Sequence, residues 1–149
     1  MGTLRRFLLM AFAALGVSGA QAQTTHSAWN GVYTEAQAER GAVSYAQNCA
    51  RCHGANLAGT FETPPLMGRF IPYWSGTTLD VLMEYLGTAM PLDRPGRLSR
   101  ATNADIVAFI LKVNGFPSGP AELSADDTVL RAIRFDAFKP ASPPKTRGR

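Results

Sequence analysis

Cysteine and histidine are scarce in this chain of 149 residues, which contains two of each. Extra cysteines in an exported protein normally pair as disulfides, but both cysteines here belong to one short motif, Cys49 to Cys52. A structural zinc site needs four ligands, usually in two separated pairs. Only His26 is left as a distant extra ligand, so zinc fails on ligand count. The two cysteines therefore have to be explained by local chemistry.

A strong excess of one charge is also lacking. The chain has 15 basic and 11 acidic residues, and two of the basic ones, Arg5 and Arg6, lie in the segment that we expect to be removed. The remaining 13 basic and 11 acidic residues give a net charge of +2. Nucleic-acid binding normally requires a clustered basic face, and the sequence does not show one. We therefore expect no nucleic acid among its partners.

Long hydrophobic runs are limited to one, Phe7 to Val17. Arg5 and Arg6 precede it, and the small-residue sequence Ala20-Gln21-Ala22 follows, which is the layout of a secretory signal peptide covering residues 1–22. The run is too short to span a bilayer, which needs about 20 apolar residues. Retention as an uncleaved anchor is the alternative. We expect cleavage, export to the periplasm and no stable membrane insertion afterwards.

Helical periodicity is present in four stretches, and no stretch has the alternation typical of a strand. Apolar residues at spacings of three and four, bounded by capping residues, predict these helices. The predicted helices run from Thr34 to Asn48, from Thr77 or Thr78 to Gly87, from Ser99 to Val113, and from Ser124 onward. The fold class is therefore all-α, with three to four helices.

The rest of the chain divides around this helical domain. Residues 23–32 are expected to form a flexible N-terminal segment, residues 33–138 the domain, and the Pro-rich, basic residues 139–149 a disordered tail. A long loop, Gly54 to Gly76, lies between the first two helices. A compact domain rarely contains so long a loop unless the loop wraps something. Its position directly after the cysteine motif indicates a bound cofactor.

The motif itself is Cys49-Ala50-Arg51-Cys52-His53, the C-x-x-C-H signature of covalent haem attachment. The two thiols add across the two haem vinyl groups, and the adjacent His53 ligates the iron as the proximal ligand. A thioredoxin-like dithiol is the alternative, but it favours a βαβ setting and a helix that begins at the motif. Here a predicted helix ends there. We therefore expect one haem c, attached through Cys49 and Cys52.

The second axial ligand decides what such a haem does. Ligation by His26 is possible, but this residue lies near the expected mature terminus. Among the methionines after residue 22, Met83 lies on the apolar face of a predicted helix, Met67 lies in the long loop, and Met90 precedes Pro91 in a turn-rich stretch. Such a loop can turn a thioether inward, and Pro91 stiffens it. We predict Met90 as the ligand. The alternatives are packing for Met83 and Met90 and pocket lining for Met67.

Cys49-x-x-Cys52-His53-Gly54, then Pro64-Pro65-Leu66, then Met90-Pro91, resembles class I c-type cytochromes from about Tyr33 to Phe135. The resemblance implies a cytochrome c fold around one haem, in which Gly41 and Tyr45 of the first helix cross Phe109 and Ile110 of the third. It also implies that a carbonyl of the Pro64-Pro65 segment accepts a hydrogen bond from His53. The cofactor-binding residues that we predict are Cys49, Cys52, His53, Pro65, Leu66, Trp74 and Met90, with His53 and Met90 as the iron ligands.

The stretch from Met90 to Pro117 is similar to small bacterial cytochromes found with quinoprotein dehydrogenases. The expected function is therefore one-electron transfer rather than enzymatic catalysis. A periplasmic dehydrogenase is the expected donor, and an oxidase or another cytochrome is the expected acceptor. The alternatives are a haem enzyme or gas-binding protein with a displaceable sixth ligand, and an electron-accepting subunit fixed to a dehydrogenase.

Overall fold

The computed structural model of the chain describes residues 25–141. The predicted signal peptide and most of the predicted tail lie outside these residues. Three α-helices in this part of the chain have more than ten residues, and three further α-helices and one 3-10 helix (Ala28–Asn30) have one turn or little more. The elements are β1 (His26–Ser27), α1 (Glu35–Asn48), α2 (Ala50–His53), α3 (Phe70–Trp74), α4 (Leu79–Ala89), α5 (Arg100–Val113), α6 (Asp127–Leu130) and β2 (Ile133–Arg134).

Helix α1 begins where the sequence predicts. The Thr34 side chain accepts a hydrogen bond from the Gln37 backbone amide at 3.2 Å, which satisfies one of the free amides of the first turn. The reciprocal half of a capping box is absent, because the buried Gln37 side chain instead bonds both backbone groups of Leu123, at 3.0 Å and 2.6 Å. Gln37 therefore ties α1 to a distant loop rather than to its own cap.

Helices α1 and α5 cross at Gly41. A Cβ atom at this position would lie 1.9 Å from the Asp105 carbonyl oxygen and 2.9 Å from the Phe109 Cβ, so only glycine permits the contact. One turn further along α1, the Tyr45 and Phe109 rings lie 5.3 Å apart. The crossing implied by the resemblance is therefore present at Gly41, Tyr45 and Phe109, while Ile110 lines the cavity described below.

Helix α4 buries its predicted face, with Leu79, Leu82 and Met83 at most 1% exposed. The prediction that Gly87 ends this helix is wrong, since α4 continues to Ala89. A glycine inside a helix costs only about 1 kcal/mol, which tertiary packing readily offsets. The two additional residues bring Met90, in extended conformation, to the C-terminal end of α4.

The loop between α2 and α4 contains a short helix that the sequence did not predict. Helix α3 spans Phe70–Trp74 and includes Pro72. Proline is tolerated there because the amides of a first helical turn have no intrahelical partner. Phe70 is buried, and Tyr73 is 81% exposed. The loop is therefore partly helical and presents aromatic side chains on both of its faces.

The two ends of the described chain pack together. Strands β1 and β2 pair in parallel, and the Trp29 ring stacks on Phe116 with centroids 4.1 Å apart. The Trp29 indole donates a hydrogen bond to the Asp136 carbonyl at 2.9 Å. Residues 26–32, within the segment expected to be flexible, thus contact the rest of the described chain, and Trp29 supplies a large apolar contact.

The last helix also differs from the prediction. Helix α6 is capped by Asp126 rather than Ser124, and the Asp126 carboxylate accepts hydrogen bonds from the Thr128 amide at 2.7 Å and hydroxyl at 2.6 Å. These hydrogen bonds hold the pKa of Asp126 below its usual value. The cap therefore lies two residues after the predicted position, and α6 has only four residues.

The fold class is all-α, as predicted, with one pair of two-residue strands added. The buried core lies between α1, α4 and α5, and it extends through Phe116 and Phe135 to the terminal segments. None of the helices within residues 25–141 has the length and apolar character needed to cross a membrane.

Candidate haem-binding site

A cavity of about 680 Å³ opens between the end of α1, α2, the loop containing α3, α4 and the Met90 loop. This volume lies within the range of roughly 300–1,000 Å³ that is typical of small-molecule and cofactor sites. Leu82, Leu86, Ile106 and Ile110 line its apolar interior. All the predicted site residues line the same cavity: Cys49, Cys52, His53, Pro65, Leu66, Trp74 and Met90.

His53 ends α2 with its side chain in this cavity, and the residue is 9% exposed. Its Nδ1 atom lies 2.9 Å from the Pro64 carbonyl oxygen. A carbonyl oxygen can only accept, so Nδ1 must carry the proton in this hydrogen bond. In the neutral ring, Nε2 then holds the lone pair that an imidazole needs to ligate a metal.

The turn that carries His53 is fixed from both sides. The His53 amide donates to the Cys49 carbonyl at 2.9 Å, and the Gly59 amide donates to the His53 carbonyl at 2.9 Å. The Tyr45 hydroxyl reaches from α1 to the Gly54 carbonyl at 2.6 Å. Burial, followed by the charge of Cys49, raises the pKa of Tyr45 to about 12, so this hydroxyl remains a donor through neutral pH. The motif is therefore held rigidly at the end of α1.

The two cysteines differ in exposure. Cys49 is half-buried, and Cys52 is exposed. Burial raises the pKa of the Cys49 thiol to about 11, and nearby Arg97 only partly opposes this effect. A catalytic dithiol requires a thiol whose pKa is lowered, because the thiolate is the nucleophile. The environment of Cys49 therefore argues against the dithiol alternative.

The three methionines of the described chain lie in different surroundings. Met90 lines the cavity, whereas Met83 is fully buried in the core and Met67 is 39% exposed, and neither of the latter two belongs to the cavity wall. His26 pairs with Ile133 in the short sheet and does not line the cavity. Met90 is thus the methionine of the described chain that shares the cavity with His53.

The loop of Met90 closes on itself. The Gly96 amide donates to the Met90 carbonyl at 3.4 Å, and the Arg94 amide donates to the Pro91 carbonyl at 2.9 Å. Because Pro91 also restricts the backbone at that position, the turn holds Met90 at the end of α4 with few alternative conformations.

Asn114, the residue that follows α5, supports the cavity loop. Its side-chain amide donates to the Leu66 carbonyl at 2.9 Å, and its side-chain oxygen accepts from the Gly68 amide at 3.2 Å. These bonds fix the cavity loop to the end of α5. An asparagine after a helix indicates a cap. The residues around Asn114 do not indicate that its hydrogen-bond partner lies 48 residues away in the sequence.

The donor set fits haem better than an isolated metal ion. No cluster of three or more His, Cys, Asp or Glu side chains within residues 25–141 could hold a metal ion. One imidazole and one thioether on the wall of an apolar cavity are instead the axial ligands found in cytochromes c, and the two thiols at its edge match the attachment motif.

Residues 36–110, about half of the chain, match the family described as cytochrome C oxidase, cbb3-type, subunit III. No curated protein matches the sequence. The crystal structure of the sulfane dehydrogenase SoxCD from Paracoccus pantotrophus aligns with a TM-score of 0.48 and 20% identity, over 95% of this chain and 76% of that chain. That similarity is too low to support an argument about function. The chain belongs to the cbb3-type subunit III family, and it is a class I c-type cytochrome, which implies haem c as the cofactor.

Proposed function

We propose that this protein is an exported monohaem electron carrier, with haem c attached through Cys49 and Cys52 and the iron ligated by His53 and Met90. The observation that carries the proposal is the shared cavity, which has His53, hydrogen-bonded through Nδ1 to the Pro64 carbonyl, and Met90 on its wall. When bound, haem iron supplies a one-electron couple between its ferric and ferrous states.

His53 supplies the proximal ligand through Nε2. Its ring is oriented by the Pro64 carbonyl, a neutral acceptor, rather than by a carboxylate. Hydrogen bonding to the second ring nitrogen sets both the tautomer and the basicity of a ligating histidine. A neutral acceptor polarises the ring less than a carboxylate would, which keeps the ligand a neutral imidazole.

Met90 supplies the second ligand of the haem iron. This ligand determines whether the haem transfers electrons or binds a substrate. A thioether is neutral and soft, and it favours the ferrous state, so His/Met ligation raises the reduction potential. Ligands at both axial positions leave no open position for a substrate. The protein then passes electrons without binding oxygen or peroxide.

The cysteines and the apolar walls hold the group in place. Cys49 and Cys52 lie on one turn at the end of α1, so a single segment provides both thioether bonds and the proximal histidine. Leu82, Ile106 and Ile110 exclude water from the interior, and a low local dielectric strengthens the effect of the ligands.

The signal-peptide pattern of residues 1–22 supports a periplasmic location, where haem c proteins exchange electrons with other proteins. A periplasmic dehydrogenase as donor, and an oxidase or another cytochrome as acceptor, are consistent with that location. Assembly as a fixed subunit of a dehydrogenase would change the partner but not the chemistry of the site.

Substitution of the proposed sixth ligand tests this function. The oxidised wild type should show a low-spin haem c spectrum with the far-red iron–thioether band, and Met90→Ala should abolish the band and lower the reduction potential. Met67→Ala is the matched control, because Met67 is partly exposed and lies outside the cavity wall. Retention of the band in Met90→Ala, or its loss in Met67→Ala, would refute Met90 as the ligand.

A further inference from the structure

Two Asn-Gly pairs occur in the chain, Asn30-Gly31 and Asn114-Gly115. Asparagine is a chemically labile residue, because its side chain can react with the backbone amide of the residue that follows. Glycine has no Cβ atom to hinder that approach, so an Asn-Gly pair reacts more readily than other pairs. The two pairs have different surroundings in the structure, and only the second contacts the cavity loop (residues 54–76).

The reaction is a deamidation in two steps. The Gly115 backbone nitrogen forms a bond to Cγ of Asn114, gives up its proton, and displaces the side-chain nitrogen as ammonia, which leaves a cyclic succinimide. Water then opens the ring at one of its two carbonyl groups and yields aspartate or isoaspartate. The side chain thereby exchanges a hydrogen-bond donor for a negative charge.

The fold holds the reacting side chain away from its neighbour. The Asn114 side-chain nitrogen donates to the Leu66 carbonyl at 2.9 Å and to the Ile110 carbonyl at 2.8 Å. Its oxygen accepts from the Gly68 amide at 3.2 Å. Each hydrogen of the side-chain amide thus has its own acceptor, so the group cannot turn towards Gly115 without breaking these bonds.

The backbone of the pair is fixed as well, although water can reach it. Asn114 caps α5 with φ −87° and ψ 9°, and Gly115 follows with φ 83°. The Gly115 amide, which supplies the attacking nitrogen, donates to the Lys112 carbonyl at 3.0 Å. Gly115 is exposed. The folded state therefore limits the first step, the ring closure, and leaves the second step, hydrolysis, unhindered.

The cavity loop supplies two of the three side-chain bonds of Asn114. Leu66 and Gly68 belong to the loop, whereas Ile110 belongs to α5 itself. Local opening of a loop costs less free energy than unfolding of the domain. Release of the loop from α5 therefore frees most of the Asn114 side chain while the helices stay folded.

Asn30 provides a comparison inside the same molecule. It ends the 3-10 helix Ala28–Asn30, it is exposed, and its side chain forms no hydrogen bond with another residue of 25–141. Since no bond from the cavity loop holds this side chain, release of the loop leaves its surroundings unchanged. Its deamidation reports opening of the chain as a whole.

We propose that Asn114-Gly115 is a deamidation site whose reaction is controlled by the cavity loop. The docked loop keeps Asn114 unreactive, and a released loop allows the reaction. The step is irreversible, and its product can no longer donate to the Leu66 carbonyl, because an ionised carboxylate only accepts hydrogen bonds. The same loop carries Pro64, the partner of His53, so the reaction permanently marks molecules whose cavity has opened. This inference goes beyond electron transfer and does not depend on the ligands of the iron.

A pair of glycine substitutions tests the control by the loop. Gly68 and Gly76 both lie in the loop, with φ values of 59° and 86°, and an added Cβ would meet nothing within 4 Å at either position. A β-branched side chain at positive φ strains the backbone, so Gly68→Val weakens the segment that bonds Asn114. Gly76→Val is the matched control, because the Gly76 amide bonds the Phe135 carbonyl instead.

The holoproteins are incubated at mildly alkaline pH, and peptide mass spectrometry follows deamidation at Asn114 and Asn30. Gly68→Val should speed the reaction of Asn114 at least about fivefold and leave Asn30 unchanged. Gly76→Val should change neither rate. In the wild type, which needs no substitution, Asn114 should react at least about tenfold faster in denaturant than in the folded protein.

Three results would overturn the control by the loop. The first is an unchanged Asn114 rate in Gly68→Val, and the second is an equal acceleration in Gly76→Val or at Asn30. The third is an Asn114 rate in the folded wild type that matches the rate in denaturant.

The effect of the product is tested by Asn114→Asp, with Asn30→Asp as the matched control that adds the same charge at the other pair. Asn114→Asp places a carboxylate oxygen against the Leu66 carbonyl, so hydrogen exchange of the Leu66 and Gly68 amides should become about tenfold faster. Asn30→Asp should leave the exchange of both amides unchanged. Unchanged exchange in Asn114→Asp, or equal acceleration in the control, would overturn the permanent release of the loop.

Discussion

At the scale of single residues, the site depends on a backbone carbonyl. The residue at position 64 is proline, which has no amide hydrogen and offers only its carbonyl to hydrogen bonding. That carbonyl fixes the tautomer of His53, and the cyclic side chain limits how far the loop can move. The hydrogen bond thus assigns Nδ1 to the Pro64 carbonyl and leaves Nε2 as the ring nitrogen available to a metal.

Removal of both thiols tests the attachment. In Cys49→Ala/Cys52→Ala, haem should be lost under denaturing conditions, because no thioether bond remains, whereas each single variant keeps one bond. Mass spectrometry and haem staining after denaturing electrophoresis measure this. Survival of covalent haem in the double variant would contradict attachment through these two cysteines.

Single residues also differ in how far their roles can be predicted from the sequence. The cysteine motif is a local pattern, and Met90 was singled out by its place before Pro91 and by the resemblance; both line one cavity, as expected. The role of Asn114 could not be predicted, because it depends on Leu66 and Gly68, which reach Asn114 only through the tertiary fold. The local sequence indicates the chemistry of a side chain, whereas the tertiary packing determines which groups that side chain contacts.

At the scale of elements, the α1–α5 crossing requires glycine at position 41. In Gly41→Ala, the new methyl group would meet the Asp105 carbonyl oxygen at 1.9 Å, and a backbone atom cannot move aside as a flexible side chain can. The helices must then separate, so we expect a loss of at least about 2 kcal/mol in the free energy of unfolding. Chemical denaturation of the two proteins measures the difference.

Gly87→Ala is the matched control for that substitution. Gly87 also lies inside a helix, but its new Cβ would find its nearest neighbour, the Asn103 side chain, at 3.9 Å, an ordinary contact. Alanine is the better helix former, so this variant should gain about 0.5–1 kcal/mol. Equal effects of the two alanines would contradict the close approach at Gly41.

Element boundaries show a similar division between what sequence predicts and what it misses. The start of α1 was predicted to the residue, because Thr34 caps it through a local hydrogen bond. The end of α4 was not, because propensity at Gly87 is weaker than the packing of the helix. The sequence does not predict helix α3, since a five-residue helix has too short a pattern to show periodicity.

At the scale of the whole molecule, an aromatic chain links the terminal segments to the cavity. Trp29 stacks on Phe116, Phe116 lies 5.4 Å from Phe135, and Phe135 lies 6.0 Å from Phe70, which lines the cavity. The Phe135 backbone also bonds Gly76 and Thr77, just after α3. The sequence could not predict this arrangement, because each two-residue strand is too short to leave a pattern. The terminal segments thus support the cavity wall from behind.

Stability at alkaline pH reports on two buried tyrosines. Burial, followed by the nearby Glu35, raises the pKa of Tyr33 to about 12, and burial also raises the pKa of Tyr45 to about 12, against an ordinary value of 10.0. Each hydroxyl donates to a backbone carbonyl at 2.6 Å and needs its proton to do so. The unfolded tyrosines ionise first, so this stability is complete below about pH 10 and is lost as pH rises towards 12.

Denaturation midpoints measured between pH 8 and pH 12 check this expectation. The wild type should show a decline that begins near pH 10, and Tyr45→Phe should decline less steeply over the same interval, because one linked group has been removed. Parallel curves for the two proteins would show that Tyr45 is not linked to alkaline unfolding.

The central claim is that His53 and Met90 both ligate one haem iron, so that the molecule carries electrons and binds no substrate. The most direct measurement is the absorption spectrum of the wild-type holoprotein, oxidised and then reduced under carbon monoxide. We predict a low-spin oxidised haem c with the far-red thioether band, and a reduced spectrum that carbon monoxide leaves unchanged. A high-spin oxidised spectrum, or prompt carbon monoxide binding, would contradict the account.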